Sequence, residues 1–181
     1  ATLAFAAGAS AAPLDYQFDK VHSQVHASVL HMGFSNSTAR FNVKDGTISF
    51  DAADVASAKV DVTLNVAGIS LGDATWQEHV SADKWFNVAA FPEARFVSTK
   101  VEKTGDKTMT VSGDLTLKGV TLPVTLQATL NQAGPHPFTK KPALGISATG
   151  SIKRSAFGIS EYLGGISDEV QIRIELEASA S

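Results

Sequence analysis

Apolar and polar positions alternate without a break from Val120 to Leu130. Val120, Leu122, Val124, Leu126, Ala128 and Leu130 share one face; Thr121, Pro123, Thr125, Gln127 and Thr129 share the other. A period of two marks a strand with one dry and one wet face. At about 3.3 Å per residue this run spans about 36 Å, longer than the usual strand of roughly five or six residues. Gly113 to Leu117 precedes it and turns into it at Lys118-Gly119. Pro123 has no N–H to give, so the strand starts or bulges there, or the donor is not needed. A sheet this tall must bury its apolar face against a second sheet or close on itself.

The same pattern predicts strands along the rest of the chain. Tyr16 and Phe18 alternate with Gln17 and Asp19, and Val25, Ala27 and Val29 with Gln24, His26 and Ser28. After a polar break from Gly33 to Thr38, a strand carries Ala39, Phe41 and Val43 inward. Lys44-Asp45-Gly46 reads as a hairpin turn, because Asp-Gly tolerates positive φ, and Ile48 and Phe50 return inward. Val60, Val62, Leu64 and Val66 alternate next. Residues 73–86 do not alternate; Asp73 and Ser81 are expected to cap two short helical turns. Ala94–Glu102 is a strand with either Phe96 or Val97 inward. Met109, Val111, Gly113, Leu115 and Leu117 line the following one. Asn131–Pro142 reads as a loop. Leu144, Ile146, Ala148, Gly150 and Ile152, and then Val170, Ile172, Ile174 and Leu176, complete the set. About eight strands with short connections predict an all-β fold, an eight-stranded antiparallel up-and-down barrel of lipocalin type with a short helical insert near 73–86. Closure removes the sheet's edges.

Composition narrows the chemistry. A net charge of -3, with acids and bases interspersed, argues against a nucleic-acid surface. Cysteine is absent, which removes disulfides, zinc–thiolate sites and thiol nucleophiles. The first residues are small and apolar, with Ala9-Ser10-Ala11 in the form of a signal-peptidase site. Residues 1–12 are therefore expected to be the remnant of a secretory signal, and 13–181 the barrel domain. Small inward residues (Ala27, Ala39, Gly113, Ala128, Ala148 and Gly150) leave two outcomes open. They leave a tube that needs a guest, or they face Phe41, Phe50, Phe96 and Met109 across a filled core.

Several stretches resemble the YceI-like periplasmic proteins that bind polyisoprenoids in a lipocalin-like barrel. They include His22-Ser23, His31-Met32-Gly33-Phe34-Ser35, Arg40-Phe41, Asp45-Gly46-Thr47-Ile48 and Glu78-His79. Trp85-Phe86-Asn87-Val88, Phe91-Pro92 and Phe96–Val101 follow in order. The run Gly113–Val124, then Arg154-Ser155-Ala156-Phe157-Gly158 and Asp168-Glu169-Val170, completes the match. It covers nearly all of Tyr16 to Ala178. Two positions depart: Trp76-Gln77-Glu78 stand before His79 where the family usually has Arg-Asp, and Ala156 follows Arg154-Ser155 where it usually has an acid.

The resemblance implies a periplasmic carrier, not an enzyme, for a long apolar lipid such as an isoprenoid quinone or a polyprenyl phosphate. That lipid would be the ligand, with no cofactor. An inner-membrane delivery partner and a homodimer are compatible with it. The expected ligand wall comprises Phe18, Val29, His31, Phe41, Ile48, Phe50, Leu64, Trp76, Trp85, Phe86, Phe96, Met109, Leu115, Leu117, Leu126, Ala128, Ile146, Ala148, Phe157 and Ile172. His22, Arg40 and Arg154 are head-group candidates, since a guanidinium can meet a phosphate or quinone oxygen. Trp76, Trp85 and Phe86 form either a lid or ordinary packing. The alternative is a hydrolase or metal-assisted enzyme built on His22, His26 and His31, of which His22 and His26 would share a face if both lay in one strand. No metal site is expected, because no Asp or Glu stands at ligand spacing. Ser155 and Ser160 lack the G-x-S-x-G context of a hydrolase nucleophile. A third possibility is a filled structural barrel that meets partner proteins.

Overall fold

The computed structural model describes residues 12–181; the signal-like stretch lies almost wholly outside them. Nine strands form one closed antiparallel sheet: β1 (Leu14–Phe18), β2 (Gln24–His31), β3 (Ser35–Phe50), β4 (Lys59–Ser70), β5 (Glu93–Lys103), β6 (Thr108–Leu117), β7 (Val120–Pro135), β8 (Pro142–Lys153) and β9 (Glu169–Ala180). One helix, α1 (Ala74–Ser81), follows β4. Sequential strands pair from β2 to β9, and β2 pairs back to β9 to close the ring.

The ninth strand completes a stave of the barrel instead of adding one. β1 and β2 lie between the same two neighbours: β1 pairs Leu14–Gln17 with β3 and Tyr16–Phe18 with β9, and β2 pairs with both higher up. They are one stave interrupted at Asp19–Ser23. Ser23 is buried there, and its Oγ donates to the Glu177 carbonyl (3.0 Å) and accepts from the Glu177 N–H (3.1 Å). Asp19 N–H donates to the same carbonyl at 2.8 Å. The wall stays closed across the interruption because these bonds replace the missing ladder.

Two turns expected from the sequence lie inside strands. Lys44-Asp45-Gly46 belongs to the continuous β3, where a register irregularity falls between Val43 and Asp45. The extra residue flips the phase, so odd positions (Phe41, Val43) and then even ones (Ile48, Phe50) face inward. Gly46 has φ 151°, and a Cβ there would stand 2.4 Å from the Asp61 carbonyl, so the Asp-Gly pair serves a bulge. Residues 131–135 continue β7, leaving only His136–Lys141 as the hairpin. The polar break after Gly33 is likewise shorter than expected, since β3 starts at Ser35. In β5, Phe96 is buried and Val97 exposed, and a shift between Ser98 and Lys100 brings Val101 inward. Pro123 pairs with Asp114 above the level where β8 joins β7 at Gln127, on a stretch with only one neighbour.

Asp73 caps α1 as expected, accepting from Trp76 N–H at 2.9 Å. Ser81 starts no second helix. It closes the first, its Oγ donating to the Gln77 carbonyl at 2.6 Å. The outer face of β6–β7 is a ladder of hydroxyls and amides: Thr110–Gln127 at 3.1 Å, Ser112–Thr125 at 3.4 Å and Thr116–Thr121 at 2.8 Å.

Two glycines of the inward register leave no open space. A Cβ on Gly113 would meet the Phe96 ring and the Val97 carbonyl, each at 2.5 Å, and one on Gly150 would meet Leu126 at 2.7 Å. Their larger neighbours already cover them. Gly113→Ala is expected to destabilise the barrel by about 1–3 kcal/mol through overpacking, measured as a lower urea midpoint with unchanged slope. An unchanged midpoint would mean that Phe96 moves aside freely.

Candidate ligand-binding site

Three apolar clusters pack the barrel, and a hollow lies between them. The lower cluster holds Tyr16, Phe18, Val43, Ile48, Phe50, Leu144 and Ala178. One side is packed by Phe96, Val101, Met109, Val111, Val124, Leu126, Ala128 and Ala148. The upper cluster holds Phe41, Val66, Ile69, Val80 and Ala94, with Trp85 and Phe86 against it. Inward-facing Val60, Val62, Leu64, Leu115, Ile146, Ile172, Ile174 and Leu176 are only half-buried, although strand periodicity points them at the barrel axis. A cavity of about 190 Å³ accounts for this. Its wall runs from Phe50, Val101 and Met109 below to Phe86, Arg154 and Ile159 above.

The expected wall residues divide cleanly. Phe41, Ile48, Phe50, Leu64, Phe86, Phe96, Met109, Leu115, Leu117, Leu126, Ala128, Ile146, Ala148 and Ile172 line the cavity. The rest stand off it. Phe18 belongs to the lower cluster. Val29 and His31 sit on upper β2, where the His31 ring meets Trp76 edge-on with centroids 6.4 Å apart. Trp76 is 37% exposed, and Phe157 is buried within the short 3-10 turn Arg154–Phe157. Trp85 lies under the Arg154 guanidinium at 5.6 Å, while Phe86 stacks edge-on against Phe41 at 5.7 Å. Val60, Val62, Ile174 and Leu176 also line the wall. Alternation alone would have found them. Ala58 and Ile159 line it from irregular segments that carry no periodic signal.

The basic head-group candidates have other partners. Arg154 is 4% exposed, and its Nε, Nη1 and Nη2 donate to the carbonyls of Ser167 (2.9 Å), Ile159 (3.0 Å) and Ile166 (2.9 Å). Asp168 accepts from Ser155 N–H and Oγ–H at 2.9 and 2.8 Å, and those bonds hold its carboxyl below the ordinary value. Together these residues fold the segment 154–168 over the upper end. Burial lowers the Arg154 pKa, opposed by the charge of Asp168. Arg40 is exposed and donates to Asn42 Oδ1 at 3.2–3.3 Å.

His22, His26 and His31 do not assemble. His22 lies in the stave interruption, not in a strand; His26 points out from β2; His31 is at its upper end. Folding instead brings His22 beside Asp19 and Glu177, whose ligand-type atoms lie within 4.8 Å of one another. Carboxylates therefore do stand near a histidine, one of them supplied from β9. This trio, half-buried at Asp19 and exposed at His22 and Glu177, is the one such group among the described residues. Asp19 Oδ2 contacts His22 Nδ1 at 2.8 Å, which raises the His22 pKa above 6.5 and lowers that of Asp19 below 3.8.

The YceI-like domain family matches residues 16–178. Protein YceI of Escherichia coli O157:H7 is 41% identical over 179 residues, covering 98% of this chain and 92% of that protein. Among solved structures, Campylobacter jejuni YceI superposes with TM-score 0.74 at 30% identity, over 83% of this chain and 89% of that one. Burkholderia cenocepacia BcnA gives 0.73 at 28%, over 86% and 96%. A polyisoprenoid binding domain from Saccharophagus degradans gives 0.71 at 18%, over 93% and 99%, a likeness of fold.

The Asp19–His22 contact sets a pH dependence. The raised His22 pKa adds stability that is full below 6.5 and fades as pH rises through the folded-state value. The lowered Asp19 pKa adds stability present above 3.8 and lost as pH falls through its own. The stability difference between wild type and His22→Gln should be largest between those ordinary values and shrink on the alkaline side. Denaturant titrations across pH 5–9 check this; a difference that grows toward pH 9 would contradict it.

Proposed function

The chain belongs to the YceI-like family, and we propose that it is a non-catalytic carrier holding an isoprenoid-type lipid tail along the barrel axis. The observation that carries this reading is a mid-barrel cavity walled by aliphatic and aromatic side chains, with Arg154 at its upper end. Such a wall offers a polar substrate nothing to bind and an apolar chain everything. At roughly 0.8 kcal/mol per buried carbon group, each five-carbon unit contributes about 4 kcal/mol.

Size constrains the ligand. A cavity of about 150 Å³ holds one benzene, so the present 190 Å³ matches one to two isoprene units. A longer tail requires the half-buried side chains at mid-height, such as Leu115, Ile146 and Ile174, to swing aside. Their partial exposure means that few contacts oppose this. A slender, flexible tail suits the space.

The head group would stay at the upper end, beside Arg154 and Trp85. Because the three backbone carbonyls occupy much of the Arg154 guanidinium, its role here is to hold the mouth in shape. Quinone and polyprenyl phosphate remain the two head groups to compare. A periplasmic location is proposed on the Ala9-Ser10-Ala11 signature.

Native mass spectrometry of gently purified protein tests the reading. The expected result is an added mass matching an isoprenoid lipid. Ala128 and Ala148 face each other across β7–β8 and line the cavity. Ala128→Phe and Ala148→Phe should each lower lipid occupancy at least about tenfold while the far-ultraviolet spectrum stays that of a sheet. Full occupancy in both variants would place the ligand elsewhere.

A further inference from the structure

The upper end of the barrel presents an apolar surface that the lumen does not use. The tip of the β2–β3 hairpin exposes Leu30 (46%), Met32 (47%) and Phe34 (92%). The segment folded over the mouth exposes Tyr162 (57%) and Leu163 (44%), and α1 adds Trp76. These come from three places in the chain, yet they form one rigid face. Met32 N–H donates to the Gly165 carbonyl (2.7 Å) and Ser167 N–H to the Leu30 carbonyl (3.0 Å). His31 bridges to Ile166 on one side and meets Trp76 on the other. Met32 and Gly33 both have positive φ (51° and 75°), which fixes a tight turn and holds Phe34 out in water.

Two further facts indicate what covers this face. The first is charge. No Asp, Glu, Lys or Arg occurs between Lys20 and Arg40, or between Glu161 and Asp168. Both segments can leave water without desolvating an ion, the main cost of penetrating a lipid interface. The second is continuity with the lumen. Ile159 and Arg154 line the cavity from the same segment that exposes Tyr162 and Leu163, and the Tyr162 ring stands 6.3 Å from Trp85, which lies under Arg154. The exposed face is the outer rim of the cavity's upper end. β1, where the described chain begins, lies at the lower end, its Leu14 paired with Phe50.

We propose that this rim docks on the surface of a lipid bilayer, with Phe34 and Leu163 inserted and Trp76 and Tyr162 at the headgroup level, so that a lipid tail passes between bilayer and lumen without crossing water. The apolar side chains supply the attraction, and the aromatic rings with polar edges suit the interfacial zone. Docking is therefore expected on neutral and anionic membranes alike. This surface role rests on the lipid-carrier reading for its purpose but not for its detection.

The test is co-sedimentation of the intact protein with phosphatidylcholine vesicles and with phosphatidylglycerol vesicles, all free of isoprenoids, at low and high salt. Quenching of Trp fluorescence by brominated lipid serves as a second readout. The expected result is binding to both vesicle types, insensitive to salt, that falls at least about tenfold in Phe34→Ser/Leu163→Ser. Both side chains are exposed, so the double variant should fold, and circular dichroism verifies it. Wild type that ignores both vesicles, or a double variant that binds as well as wild type, overturns the proposal. Binding confined to anionic vesicles and lost in salt also overturns it, in favour of simple electrostatic adsorption. A dimer that dissociates in the double variant, without vesicle binding, assigns the face to a second copy of the chain. Vesicle binding by protein that carries no lipid in native mass spectrometry sinks the lumen reading and leaves the docking surface standing.

Discussion

Everything in this molecule depends on closing the sheet. Once β2 bonds to β9 at one side and β3 at the other, the radius is set by the number of staves and their tilt, and side chains cannot pull the walls together. The backbone ladder acts as a hoop. In most proteins apolar side chains contract until the interior is dense. Here they meet at the two ends and along one side, and the middle stays hollow. The cavity is thus a consequence of backbone geometry, not a packing fault.

The hoop has one interruption, at Asp19–Ser23, and the chain closes it with polar atoms. Buried Ser23 takes both the N–H and the carbonyl of Glu177, while Asp19 and His22 tie off the loop outside. The upper end solves a different problem. Its cover, residues 154–168, has no regular ladder of its own, so one buried guanidinium gathers three carbonyls and one carboxylate gathers two donors. Wall and cover are held by unlike means: a continuous backbone ladder in one, a few side-chain anchors in the other.

Much of this was legible in the sequence, because period two is a strong signal and one-sided alternation in every strand leaves few architectures. Val120 to Leu130 alone demanded a partner layer or closure. Misreadings fell where local chemistry has two uses. Asp45-Gly46 suits a hairpin and equally a bulge; only the need to flip phase between Val43 and Ile48 decides between them. Asn131–Pro135 looks like loop because of its glycine and proline, yet the edge of a hairpin tolerates both. Fourteen of the expected wall residues do line the cavity, thirteen of them from strands, since facing inward is what periodicity reports, and Phe86 from the non-alternating insert. Phe18, Val29 and His31 do not, because height along the axis is not written in alternation; Trp76, Trp85 and Phe157 do not, because they come from segments with no alternation to read. The same limit hid the Asp19–His22–Glu177 group, which joins residues from opposite ends of the chain.

The most direct measurement is a crystal structure of protein purified without detergent or organic solvent, solved well enough to read the lumen. A hollow held open for a lipid tail should contain continuous, branched, rod-like density running past Leu115, Ile146 and Ile174 toward Arg154. Side chains closed across that axis with no space between them, or isolated peaks of ordered water in its place, would contradict it.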